Sequence, residues 1–282
     1  MLNDFPHSPL RVGTTSYILP EDLLPNVRFL APRVDDIEVV LFESEQTSNL
    51  PSPQTVRELA RLAGTHGLSY TIHFPLDVFP GSLDETVRRK SVESYQRIGS
   101  LTAPLHPFSY IFHLTPESYA REPATDIARW HSQLEKTIVE LLESGWDPQQ
   151  LCVETLSYRF EHVLDLVQKY HLAVTLDIGH IWLCGLDARY YTRLLLPNAR
   201  VIHFHGVAGG HDHLGAGSTP REDRDDFLRA VWEQCGLDQK ERVLTLEVFD
   251  PMYLKDSMQV VQDFLVRNPA LVKQMDAIQE VC

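Results

Sequence analysis

Cysteine is scarce in this chain: Cys152, Cys184, Cys235 and Cys282 are the four present, and no two form a C-x-x-C pair. Four scattered thiols in 282 residues exclude a disulfide scaffold and a paired-thiol zinc ribbon, and a reducing compartment fits them. Long apolar runs are missing too. The stretch 181–184 is typical of what there is, far short of the roughly 20 residues that cross a bilayer. Residues 1–10 lack the basic start and apolar core of an export signal, so the expected location is the cytoplasm and no membrane partner is expected. Positive charge is in deficit: 25 Lys+Arg face 39 Asp+Glu, a formal net charge of −14. Such a surface opposes the phosphate contacts behind most sequence-independent nucleic-acid affinity, which excludes bulk DNA or RNA as an expected partner. No low-complexity tract, charge block or linker divides the chain, so residues 1–282 read as a single domain.

What is present is a regular alternation of short β-rich runs with longer segments of helical period. The runs are residues 11–16, 36–42, 69–74, 108–113, 151–155, 172–178, 200–205 and 242–248, each followed by enough chain for a crossover helix. Their repeat of about 33 residues matches a βαβ unit, and eight such units predict an α/β fold, the (β/α)8 TIM barrel. Helix signals fill the gaps. Pro53 leads into residues 55–66 with Gly67 as the stop, Ser82 precedes 83–101, Pro123 opens 124–144, and Pro220 opens a helix before Gly236. The tail after Pro269 reads as an extra C-terminal helix.

Side chains on a barrel strand alternate between the interior and the helical layer. One parity here is apolar, as in Tyr70, Ile72 and Phe74 or Leu244, Leu246 and Val248. The other is small or polar and ends in an ionisable group: His73, His113, Glu154, Asp177, His203 with His205, and Glu247. These lie at the C-terminal strand ends, where barrel active sites are built.

Thirteen histidines are present, and His7, His66, His106, His131, His162 and His171 lie away from strand ends, where a solvated or half-buried role is expected. The other seven, His73, His113, His180, His203, His205, His211 and His213, gather at or just past strand ends beside Glu154, Asp177 and Glu247. So many titratable groups around one mouth cost several kcal/mol per unpaired charge unless something ligates and neutralises them. A divalent metal does this, and the imidazole–carboxylate mixture favours zinc, manganese or iron over magnesium or calcium. There are too many ligands for one tetrahedral ion, so two or three divalent transition-metal ions are expected, a device of phosphoryl transfer. Residues 206–219 contain five glycines and read as a loop arching over the cluster.

The strand-end signatures I-H-F-P, F-H-L, V-E-T, L-D-I-G-H, V-I-H-F-H, G-H-D-H-L-G-A-G and L-E-V resemble the xylose-isomerase-like TIM-barrel superfamily, and within it the branch with endonuclease IV. The resemblance implies one metal on His73, His113 and Glu154, a second on Glu154, Asp177, His203 and Glu247, and a third on His180, His211 and His213. His211 stands where that branch has Asp. It implies metal-dependent hydrolysis of a phosphodiester, with Glu154, Asp177 and Glu247 as catalytic residues. The segments V-G-T-T-S-Y, V-D-D-I-E-V-V-L-F-E-S and I-H-F-P-L-D resemble the cobamide-remodelling hydrolase family, CbiR. That implies a small-molecule substrate, a cobamide, whose nucleotide loop is cut to release an α-riboside of the lower-ligand base and cobinamide phosphate. Candidate substrate contacts are Tyr17, Glu43, Phe74, Trp182, His205 and Phe249, with Phe79, Tyr158 and Tyr253 as further aromatics near the mouth. A sugar isomerase or epimerase using one ion, an AP-endonuclease-type DNA repair enzyme, and a non-catalytic metal- or corrinoid-binding protein are the alternatives.

Overall fold

A computed structural model describes residues 9–43, 48–116 and 125–271. Eight strands close a parallel barrel: β1 (Leu10–Thr15), β2 (Asp36–Val40), β3 (Ser69–His73), β4 (Ser109–Phe112), β5 (Leu151–Glu154), β6 (Ala173–Asp177), β7 (Ala199–Phe204) and β10 (Arg242–Leu246). Each pairs with its neighbours in chain order, and β10 closes on β1 through the register Leu10↔Arg242 to Thr14↔Leu246. All eight expected runs are strands, each trimmed by one or two residues at the mouth end.

The apolar parity packs outward as expected. Tyr70, Ile72, Phe74, Phe112, Val153, Leu176, Phe204 and Leu246 are buried against the helical layer. That layer comprises α1 (Leu23–Leu30), α2 (Pro53–His66), α3 (Glu85–Thr102), α4 (Ile127–Glu143), α5 (Leu164–Lys169), α6 (Ile178–Leu183), α7 (Ala188–Leu195), α8 (Arg221–Asp238) and α9 (Pro251–Arg267). Each such side chain removed from water stabilises the fold by roughly 1.5–3 kcal/mol. The opposite parity fills the barrel in layers. Ile111, Cys152, Ala173, Val201 and Val243 form an apolar plug at the N-terminal end, joined by Phe108, which precedes β4 and so does not follow the outward parity of Tyr110 and Phe112. Thr71, Thr175 and Thr245 are fully buried along the same inward parity, and the ionisable groups lie nearest the mouth. Below the plug, the guanidinium carbon of Arg200 sits 4.4 Å from the centre of the Phe108 ring, and that of Arg11 lies 5.3 Å from it.

The helix limits differ from the sequence reading where capping decides them. Asp84, not Ser82, caps α3 by accepting from the Thr86 N–H, and Asp126 caps α4 from Arg129 N–H. Gly236 does not end α8, which runs on to Asp238 and stops at Gln239 in the left-handed region. Residues after β7 are not a plain loop: β8 (Gly206–Ala208) and β9 (His211–Leu214) form an antiparallel hairpin followed by a short 3-10 turn. The further helix expected after Pro269 lies, from residue 272 on, outside the described residues, as do His7 and Cys282. Cys152, Cys184 and Cys235 are free thiols. No helix among the described residues is long and apolar enough to cross a membrane.

Candidate metal centre

Six strand ends, those of β3, β4, β5, β6, β7 and β10, and the hairpin bring their ionisable side chains together above the threonines. Glu154, last residue of β5, is nearly fully buried and divides its carboxylate between two sides. Its Oε2 lies 2.8 Å from His113 Nε2 and 3.3 Å from His73 Nε2. Its Oε1 faces His203 Nδ1 at 3.4 Å and His180 Nδ1 at 3.5 Å. His203 Nδ1 also meets Glu247 Oε2 at 3.1 Å and Asp177 Oδ2 at 3.6 Å.

Backbone geometry fixes the aim of these groups. Asp177 ends β6 and caps α6, its Oδ1 accepting from His180 N–H at 2.8 Å. Its own N–H donates to Thr155 Oγ1 at 2.9 Å, tying the ends of β5 and β6 together. His73 Nδ1 donates to the Phe74 carbonyl at 2.8 Å, which fixes the ring with Nε2 facing Glu154. His213 sits in the left-handed region at φ 50, a conformation a non-glycine residue adopts at a cost, and its N–H donates to His205 Nδ1 at 3.0 Å. Gly179 makes room for that ring, since a Cβ there would lie 2.0 Å from His205 Cε1.

The electrostatics of the cluster are those of a cation site. Burial alone would lower the pKa of His203, yet the carboxylates of Glu247, Glu38 and Glu154 outweigh it and hold the pKa well above the ordinary value. His73 is raised to about 9 against burial by Glu154, and His180 is raised by Asp177. Burial pushes the carboxyls of Glu154 and Asp177 up, but His113 and His203 for the first, and His180 and His205 for the second, bring both well below the usual range. His113 is lowered by its burial. Three buried atoms, Asp177 Oδ2, His203 Nδ1 and Glu247 Oε2, make no hydrogen bond although they converge on one another. Ligand atoms about 2.0–2.2 Å from a tetrahedral ion stand roughly 3.3 Å apart, and the 2.8–3.6 Å separations above bracket that spacing. The donor set therefore fits divalent transition-metal ions: His73, His113 and Glu154 could hold one, and Glu154, Asp177, His203 and Glu247 another.

The structure brings together eight of the nine residues expected to bind metal, and it adds His205. The third group is His180, His205 and His213. His211 departs from the expectation: it is exposed at the start of β9, because the hairpin turn carries it away from the barrel axis while His205 stays on the inward parity of β7. Phe74 and Trp182 also depart from it. Phe74 follows His73 and so points outward, its ring 4.6 Å from Tyr95 and 5.5 Å from Tyr110. Trp182 packs on Phe204 and Phe227 in the helical layer. Glu43 pairs with Arg97 of α3 and does not reach the cluster. Tyr158 is core, donating to the Leu114 carbonyl. Phe249 does flank the cluster, 5.3 Å from the His213 ring, while Tyr17 stands at the rim with its hydroxyl on Asn49, and Tyr253 is exposed on the first turn of α9. Phe79 is half-buried after β3. Sequence reading missed Glu38, fully buried inside β2 and 2.9 Å from His203 Nε2. The parity rule applied to D-I-E-V-V would have found it, since Asp36 and Glu38 alternate with outward Ile37 and Val39.

Comparison with known proteins agrees with this architecture. The profile of a family described as xylose isomerase-like TIM barrel matches residues 34–263. An uncharacterized protein of Methanocaldococcus jannaschii, MJ1311, is 25% identical over 223 residues, covering 73% of this chain and 72% of that relative. The crystal structure of a D-tagatose 3-epimerase-like protein superposes with a TM-score of 0.74 at 20% identity, over 93% of this chain and 99% of that one. Endonuclease IV from Thermus thermophilus superposes with a TM-score of 0.61 at 20% identity, over 91% of this chain and 99% of that one.

Proposed function

The chain belongs to the xylose isomerase-like TIM barrel family, and from that premise we propose that it is a metal-dependent phosphodiesterase. Its proposed substrate is a cobamide, and the proposed reaction is hydrolysis of the nucleotide loop to an α-riboside and cobinamide phosphate. One observation carries the reading: the two oxygens of Glu154 face different sets of imidazoles, so one carboxylate can serve two ions. A one-ion sugar isomerase needs only Glu154, Asp177, His203 and Glu247 and leaves His73 and His113 idle. Bound divalent ions would lower the pKa of water and neutralise charge on the oxygens of an in-line displacement.

The chain's own residues hold that chemistry in place. Glu154 sets the spacing between the two sides. Asp177 is fixed by His180 N–H and Thr155, and Glu247 reaches the same space from one residue past β10. His180, His205 and His213 present imidazoles on the side toward the hairpin, where they can donate protons to a leaving oxygen or hold a third ion. Two features support a bulky, partly apolar, small-molecule substrate over duplex DNA. Phe42, Leu76, Leu83 and Phe249 are exposed in the loops after β2, β3 and β10, and Met252 in the first turn of α9, beside strands that neighbour one another around the barrel through β1. The net charge of −14 opposes a polyanion.

The test is incubation of zinc- or manganese-loaded protein with adenosylcobalamin and cyanocobalamin, followed by chromatography and mass identification. A free α-riboside with a phosphorylated cobinamide is the expected result. Intact cobamides in the presence of two bound ions per chain would overturn the substrate. A single ion per chain with ketose epimerisation would establish the isomerase alternative.

A further inference from the structure

We propose that Glu38 is a positioning residue of the metal centre: from inside β2 it holds His203 with its proton on Nε2, so that Nδ1 is presented unprotonated between Glu154, Asp177 and Glu247. Glu38 sits in mid-strand, in register with Thr15 and Thr71 on its two neighbours, and is fully buried. Its Oε2 accepts from His203 Nε2 at 2.9 Å across the barrel. An imidazole with one nitrogen committed as a donor has only the other free to ligate, so this single bond selects which atom of His203 faces the carboxylate oxygens. The selected atom, Nδ1, is the one that makes no hydrogen bond.

Two observations set Glu38 apart from ordinary barrel packing. Its neighbours along the inward parity of adjacent strands are neutral threonines, which fill the same layer without a charge to bury. Its Oε1 is buried without a partner, and a carboxylate oxygen of Glu38 lies within 4.8 Å of ligand atoms of both His73 and Glu247. A buried acid among neutral threonines calls for a partner, and orienting His203 while facing the cluster supplies a role for it.

The inference rests on the metal centre of the proposed function and is independent of its substrate. Zinc affinities of wild type, Glu38→Ala and Glu38→Gln are measured by competition with a chromophoric chelator, with long-range proton–nitrogen spectra of the zinc-loaded proteins. In Glu38→Ala one zinc equivalent is expected to weaken about 10–100-fold while the other changes less than about twofold. Glu38→Gln, which keeps an acceptor oxygen, is expected to restore most of the loss. The His203 resonances are expected to report metal at Nδ1 and a proton at Nε2. A folded Glu38→Ala with both affinities unchanged overturns the role, as does a wild-type His203 ligating through Nε2. Should Glu38→Ala fail to fold, the wild-type spectrum and the Gln variant decide. Intact cobamides alongside the expected zinc pattern would remove the substrate and leave Glu38 in place; a wild type that binds no zinc removes both.

Discussion

At the residue scale the centre depends on one carboxylate facing two ways. Glu154→Gln keeps the shape but offers a neutral oxygen and an amide where two charged oxygens stood, so kcat is expected to fall more than about 100-fold and bound metal to drop. Metal analysis beside single-turnover kinetics checks this, and near-normal values of both would remove Glu154 from its role. Asp36 behaves in the opposite sense. Burial raises its carboxyl to about 6, only partly offset by the hydroxyls of Ser69 and Thr71. The folded chain therefore keeps a proton that the unfolded chain releases near 3.8, so stability falls as pH rises through that interval and stays reduced above about 6. Asp36→Asn is expected to unfold at higher urea at pH 8, by up to about 3 kcal/mol, with the gap narrowing toward pH 5. Equal midpoints across pH would contradict it. The side chains that converge at the mouth were legible in the sequence because strand parity places every second residue on one side. His73, Glu154, Asp177 and His203 follow from that rule alone, and Phe74 was misplaced only by neglecting it.

At the scale of elements, legibility stops where the chain leaves the strands. His205 and His211 differ by the path of the β8–β9 hairpin, and nothing in G-V-A-G-G-H-D-H states where an antiparallel turn will aim its second arm. The strand-to-helix step at β6–α6 is more constrained. L-D-I-G-H needs Asp as cap, glycine against the His205 ring, and His at the third helical position. Gly179→Ala is expected to displace His205 and cost about 1–3 kcal/mol through overpacking, with the barrel retained. Urea unfolding with far-ultraviolet circular dichroism measures it; an unchanged midpoint would mean that the ring has room to move. Capping accounts for the helix limits: Asp84 and Asp126 accept from the N–H groups of Thr86 and Arg129, while Ser82 Oγ is taken by the Asp84 N–H.

For the whole molecule, the barrel and its order of eight strands could be read from spacing alone, since a repeat near 33 residues admits few closed arrangements. Ions that bind the folded chain only should stabilise it by mass action. Stripping with a chelator is expected to lower Tm by several degrees, and zinc at about 100 times its Kd to restore about 2.7 kcal/mol. Calorimetry before and after stripping decides, and an unaltered Tm would argue against a resident metal. The stopper of Phe108, Ile111, Cys152, Ala173, Val201 and Val243 shuts the far end of the barrel, so that among the described residues the mouth is the way in. Substrate, product, water and ions must queue at the same threshold, so an occupant standing in it bars the ions' exit. Zinc loss to an external chelator should accordingly slow while a product analogue is bound, and equal loss rates with and without it would reveal a second way out.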